Sequence, residues 1–140
     1  ENGVELDRDD FRIDVEEKAQ IEYQDENGEQ VETDALVMDV SAGGCGILTK
    51  SKLPRENEIT LNFTLDQGKF VMENVKGIVR YTSGSGGNKE FPCRAGIFFT
   101  NLTERFRENM ISILFRIDRE NKKKEADKRA RFKHAYSNKY

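Results

Sequence analysis

Tryptophan is missing from this 140-residue chain, and proline (2), cysteine (2) and histidine (1) are nearly so. Each scarcity removes a class of function. A single histidine, His134, with no second histidine and no Cys-x-x-Cys pair, leaves zinc sites and the usual hydrolase triads without parts, so neither a catalytic residue nor a metal ligand is expected. Cys45 and Cys93 sit in strand-like surroundings without metal-ligand spacing and read as small core residues rather than a disulfide. No apolar run approaches the length of a membrane span, and no secretory h-region is present, so a cytoplasmic location is the default expectation. The glycines of Ser83-Gly84-Ser85-Gly86-Gly87-Asn88 are not followed by Gly-Lys-Ser/Thr, which makes this stretch a hairpin linker rather than a phosphate loop.

Charge, by contrast, is abundant and unevenly placed. Charged residues make up 35% of the chain and apolar residues 36%, the balance of one highly charged domain with an ordinary core. Residues 1–34 carry 14 acids against 3 bases, and residues 119–140 carry 3 acids against 9 bases. The body is acidic and the tail basic. An acidic body disfavours a general nucleic-acid binder, whose sequence-independent affinity comes from Lys and Arg neutralising phosphates.

The periodicity is that of an antiparallel β fold. Ala19, Ile21 and Tyr23 alternate with polar residues, Asp25-Glu26-Asn27-Gly28 supplies a hairpin turn, and 31–40 returns. Residues 45–49 form a short strand. Ile59, Leu61, Phe63 and Leu65 alternate cleanly, Asp66-Gln67-Gly68 turns the chain, and 70–81 runs back with a bend expected near Gly77. Residues 92–100 close the sheet. Six or seven short strands at this spacing predict a mainly β fold, a small antiparallel barrel, rather than βαβ units.

A long C-terminal α-helix follows. Asn101 or Thr103 can cap it, and Leu102, Phe106, Met110, Ile113, Leu114 and Ile117 recur at helical spacing as one apolar, core-facing stripe. Beyond Asp118 the stripe gives way to Lys122-Lys123-Lys124 and Lys128-Arg129-x-Arg131, a solvated helical or disordered tail, or a surface for a partner or a second copy of the chain.

Two short motifs carry the chemistry. Arg8-x-x-x-Arg12 offers forked donors matched to phosphate oxygens and to the O6/N7 edge of guanine. Asp39-x-Ser41-x-x-Gly44 offers a carboxylate able to accept from guanine N1–H and N2–H, beside a hydroxyl and a backbone opened by Gly43 and Gly44. From the chain's composition the second pattern, with Asp or Asn first, is expected only about 0.06 times by chance, so it is the more specific signal. Strand-like 36–40 leads into it and 45–48 leaves it, placing Asp39, Ser41 and Gly44 at a strand end and its turn.

With these motifs, Gly77-Ile78-Val79-Arg80-Tyr81, Ala95-Gly96-Ile97-Phe98-Phe99 and the closing helix, nearly the whole chain resembles a PilZ domain, the bacterial receptor family for cyclic di-GMP. The resemblance implies a non-enzymatic receptor with Arg8, Arg12, Asp39, Ser41, Gly43 and Gly44 as ligand-binding residues, cyclic di-GMP as ligand and no other cofactor. It departs from many members at Asp7, Asp9 and Asp10 around the first arginine. The expected organisation is a ligand-clamping segment over 1–16, a barrel with its packing helix over 17–118, and a basic tail over 119–140. The chain opens on Glu1 and is expected to be a piece of a longer protein. Ligand capture would then signal to an upstream domain or a downstream protein, a flagellar motor component or a polysaccharide synthase among the candidates, with the C-terminal helix a candidate for homo-oligomerisation. A ligand-independent interaction module of the same fold is the alternative, and a small-barrel nucleic-acid binder a third, disfavoured class.

Overall fold

The computed structural model describes residues 11–137. Among them are six strands, β1 (Ile13–Gln24), β2 (Gln30–Val40), β3 (Gly44–Thr49), β4 (Glu58–Leu65), β5 (Phe70–Ser83) and β6 (Cys93–Phe99), and one helix, α1 (Glu104–Ser137). The strands close into an antiparallel barrel in the order β1-β2-β3-β6-β5-β4, with β1 and β4 joined over Gln20 to Tyr23, so no strand is a free edge. The expected architecture is present, with six strands rather than seven.

Period-two alternation builds the interior. Ile21, Val37, Ile47, Leu61, Val79 and Ile97 point inward, each at most 4% exposed. The turns follow local chemistry. Asp25 accepts from the backbone N–H groups of Asn27 and Glu29, both at 2.9 Å, and Gly28 takes the left-handed conformation at φ 80° that the β1–β2 hairpin requires. At the β4–β5 turn Asp66, Gln67 and Gly68 are all left-handed, and the Asp66 carboxylate is tied to Arg116 of α1.

Two boundaries differ from the sequence reading. β1 begins at Ile13, six residues before Ala19, because Ile13 and Asp14 pair with Val40 and Asp39 across a bulge that alternation alone does not reveal. The bend of β5 lies at two bulges flanking Gly77 rather than at Gly77 itself. One is at Glu73–Asn74, where the Asn74 N–H donates to Asn62 (2.8 Å) and its carbonyl accepts from Asn101 (3.0 Å), and the other is at Arg80. Gly77 serves close packing instead, since a Cβ there would stand 2.4 Å from the Ile97 side chain.

Helix α1 starts where the Thr103 hydroxyl accepts from the Phe106 N–H at 3.1 Å, an N-cap. Its first turns lie across the barrel end formed by the start of β1 and the β4–β5 turn. Phe106 packs against Phe70 with ring centroids 5.3 Å apart, Phe115 stacks on Phe11 at 4.3 Å, and Met110 and Leu114 are fully buried in the core. Ile111, outside the expected stripe, is also buried, whereas Ile113 is only half-buried. The 34-residue helix is about 50 Å long, and every side chain from Arg119 to Arg131 is exposed. The basic tail is thus a helical extension that projects from the barrel.

Removing residues 119–140 deletes no buried apolar surface among the described residues, so thermal unfolding should stay cooperative with stability changed by less than about 1 kcal/mol. Leu114→Ala should instead cost about 2–5 kcal/mol by opening the core. Chemical denaturation of both variants measures the contrast; a tail deletion as damaging as Leu114→Ala would place the core boundary further along the helix.

Candidate functional site

The β2–β3 turn opens at the same end of the barrel. A bulge between Val37 and Asp39 turns the Asp39 carboxylate out of the regular ladder, beside Gly46 of β3. The turn is then closed by its own groups: the Ser41 N–H donates to the Gly44 carbonyl at 2.8 Å, and the Ser41 hydroxyl accepts from the N–H groups of Gly43 (3.3 Å) and Gly44 (3.2 Å). Ser41 is 2% exposed. In this arrangement the hydroxyl shapes the turn before it is available to a ligand.

The glycines have unequal roles. A Cβ on Gly44 would lie 2.0 Å from the Ile97 carbonyl oxygen, a backbone clash that excludes a side chain, whereas one on Gly46 would lie 2.7 Å from an Asp39 carboxylate oxygen and would displace that carboxylate. Gly43 has nothing nearer than 3.9 Å. Its contribution is the carbonyl that accepts from the Phe99 N–H at 2.9 Å.

Asp39 is the electrostatic centre. One carboxylate oxygen is paired with Arg12 Nη1 and the other lies 3.5 Å from Arg94 Nη2, while Arg12 Nη2 reaches toward the Ser41 hydroxyl at 3.5 Å. Arg12 is held by its surroundings as well as by charge, because it sits between Phe11, stacked on α1, and Ile13, the first residue of β1. Both guanidinium groups are more than a third exposed, whereas Asp39 is 15% exposed, so the arginines can leave for solvent or ligand more readily than the carboxylate.

Arg12, Asp39, Ser41, Gly43 and Gly44 therefore line one groove of about 580 Å³, within the usual size of small-molecule sites. Arg8 lies outside the described residues. The groove also contains residues that motif reading does not single out: Arg94, Gly46, Gly96, Arg80, Tyr81 and Phe98. Strand alternation was the available signal, since Arg94, Gly96 and Phe98 interleave with core-facing Ala95, Ile97 and Phe99. Beneath the groove, Cys45 is fully buried, and burial together with the nearby Asp39 charge pushes its thiol pKa well above the ordinary value, an inert core group. Among the described residues no cluster of His, Cys, Asp or Glu could hold a metal ion.

Arginine forks beside a sheltered carboxylate can recognise a ligand that is both anionic and a hydrogen-bond donor, phosphate for the arginines and a base edge for Asp39. The family model described as PilZ domain matches residues 6–116, and the chain belongs to the PilZ domain family. No curated protein matches the chain. Among solved structures, it is similar to the PilZ domain of YcgR from Escherichia coli, solved with c-di-GMP, at 18% identity and TM-score 0.59, covering 83% of this chain and 95% of that one. Bacillus subtilis MotI/DgrA, described as an inhibitor of motility, matches at 16% identity and TM-score 0.58, covering 76% and 49%. K. pneumonia MrkH matches at 19% identity and TM-score 0.60, covering 83% and 51%. The chain thus spans about half the length of MotI/DgrA and MrkH, and at these identities the likeness is one of fold.

Gly44→Ala should lower stability by about 2–3 kcal/mol, because the new methyl group must push β3 away from β6, while Gly43→Ala should cost less than about 1 kcal/mol. Urea unfolding of the pair tests the assignment, and equal effects would remove the distinction between the two glycines.

Proposed function

We propose that this domain is a receptor for cyclic di-GMP that binds without chemical turnover and transmits occupancy through its N-terminal segment and α1. The observation that carries the reading is the convergence of Arg12 with Asp39, 27 positions away in sequence, and the adjoining Ser41–Gly44 turn on one groove of a PilZ-family barrel. The YcgR domain solved with c-di-GMP, similar over most of both chains, supports the same ligand.

Binding on this reading is an exchange of partners. Both Asp39 oxygens face guanidinium groups in the free protein, so a guanine that donates N1–H and N2–H to the carboxylate replaces those contacts, and the released Arg12 and Arg94 turn to phosphate. Arg8 supplies the second fork of the Arg-x-x-x-Arg pair. The exchange has a mechanical consequence, because Arg12 adjoins Phe11, which is stacked on Phe115 of α1. Moving Arg12 shifts that contact and with it the N-terminal segment or a partner that meets the projecting helix. An upstream domain or a separate protein such as a motility component or a polysaccharide synthase is the proposed recipient.

Isothermal calorimetry with cyclic di-GMP, GTP and a short oligonucleotide at fixed salt separates this reading from a ligand-independent module and from a nucleic-acid binder. Arg12→Ala should weaken cyclic di-GMP binding by about 1.5–3 kcal/mol with little change in the stability of the free domain, since its ion pair is half exposed. Asp39→Ala should narrow the preference for cyclic di-GMP over cyclic di-AMP, because adenine lacks the N1–H that the carboxylate accepts. Preferential binding of the oligonucleotide, or no binding of cyclic di-GMP to the unaltered protein, would contradict the assignment.

A further inference from the structure

The outward face of β2-β3-β6-β5 carries an arrangement that the two motifs leave unused. Strand register places Asp39 opposite Gly46, Gly46 opposite Gly96, and Gly96 opposite Tyr81, one continuous row across four strands. Three strand spacings make that row about 14 Å wide. Both central residues are glycines whose neighbours Cys45, Ile47, Ala95 and Ile97 face the core; Gly46 is buried beneath the Asp39 carboxylate, whereas Gly96 is partly exposed beside Tyr81. A carboxylate stands at one end of the trough and a tyrosine ring at the other.

An aromatic wall stands beside the tyrosine. Phe98, two residues along β6 from Gly96 and on the same face, lies under the Arg80 guanidinium at 5.1 Å from its ring centroid. Tyr81 is 53% exposed and Phe98 48%. Among the described residues the large hydrophobic side chains exposed to this degree are Val71, Tyr81 and Phe98, and the two aromatic ones line this groove. Two half-exposed rings beside an arginine make a platform for a flat π-system, on which a base can stack once the Arg80 guanidinium swings off the Phe98 face to cover the base instead.

A cyclic dinucleotide has two bases, and the Asp39–Ser41 turn can read the edge of one. We propose that Arg80, Tyr81 and Phe98 form a second base subsite, in which the other purine of the ligand stacks beside Gly96, at the far end of the row from Asp39. The inference rests on the ligand class proposed above and adds a division of labour. Asp39 selects guanine by its edge, whereas the shelf holds any purine by its face, because stacking does not discriminate between bases. Arg94, on the same strand face between the two halves, is placed for the phosphates that join them.

The test is calorimetry with cyclic di-GMP and cyclic di-AMP on the whole 140-residue chain. Tyr81→Ala and Phe98→Ala should each weaken both ligands roughly tenfold and leave their affinity ratio unchanged, with thermal stability preserved because the rings are half exposed. Phe98→Leu, which keeps apolar bulk without a π-face, should lose affinity like Phe98→Ala, and Phe98→Trp should retain it. Gly96→Ala gives an independent check, since its methyl group would sit 3.4 Å from Tyr81 Cβ without collision yet raise the floor, and affinity should fall. Unchanged affinity in both alanine variants, or full affinity in Phe98→Leu, would overturn the stacking subsite while leaving the receptor assignment standing. Failure of the unaltered protein to bind either ligand would overturn both.

Discussion

Gly44 lies so close to β6 that a Cβ there would stand 2.0 Å from the Ile97 carbonyl oxygen, and this approach lets β3 pair with β6 and the six-stranded ladder close. Closure does more than remove sheet edges. It brings the β2–β3 turn, the start of β1 and the outward face of β6 to one place, so an arginine 55 positions from Asp39 in sequence reaches its carboxylate. The turn is shaped by its own groups, because the Ser41 hydroxyl accepts from the Gly43 and Gly44 backbone N–H groups.

Around this fixed turn the arginines are the movable parts. Arg12 and Arg94 are more than a third exposed, and their pairing with Asp39 contributes little net stability at such exposure, of order 1 kcal/mol or less. A chain with an acidic body therefore keeps the groove arginines paired with a carboxylate that the proposed ligand would also engage. The arrangement makes the site sensitive to a ligand that satisfies both partners at once, a phosphate for the cations and a donor edge for Asp39, and insensitive to one that satisfies only one of them.

Much of this was legible in the residues alone. The hairpin at Asp25–Gly28, the alternation of Ile59 to Leu65 and the stripe of α1 follow from local rules, and Asp39, Ser41 and Gly44 stood out because serine is scarce and the spacing is specific. The bulges at Asp39, Asn74 and Arg80 were not legible, since each is fixed by partners from elsewhere in the chain, Asn62 and Asn101 for one of them. Register was the other hidden quantity. Arg94, Gly46, Gly96, Tyr81 and Phe98 are ordinary strand residues until pairing lays them in one row with Asp39, and no local periodicity encodes which strand lies beside which.

Exchange of the proposed ligand for the Asp39 ion pairs is tested most directly by nitrogen-15 NMR of the arginine guanidinium groups during titration with cyclic di-GMP. The Arg12 and Arg94 resonances should shift together, saturating with the same affinity as calorimetry. Saturable binding that leaves both resonances unmoved would contradict the exchange.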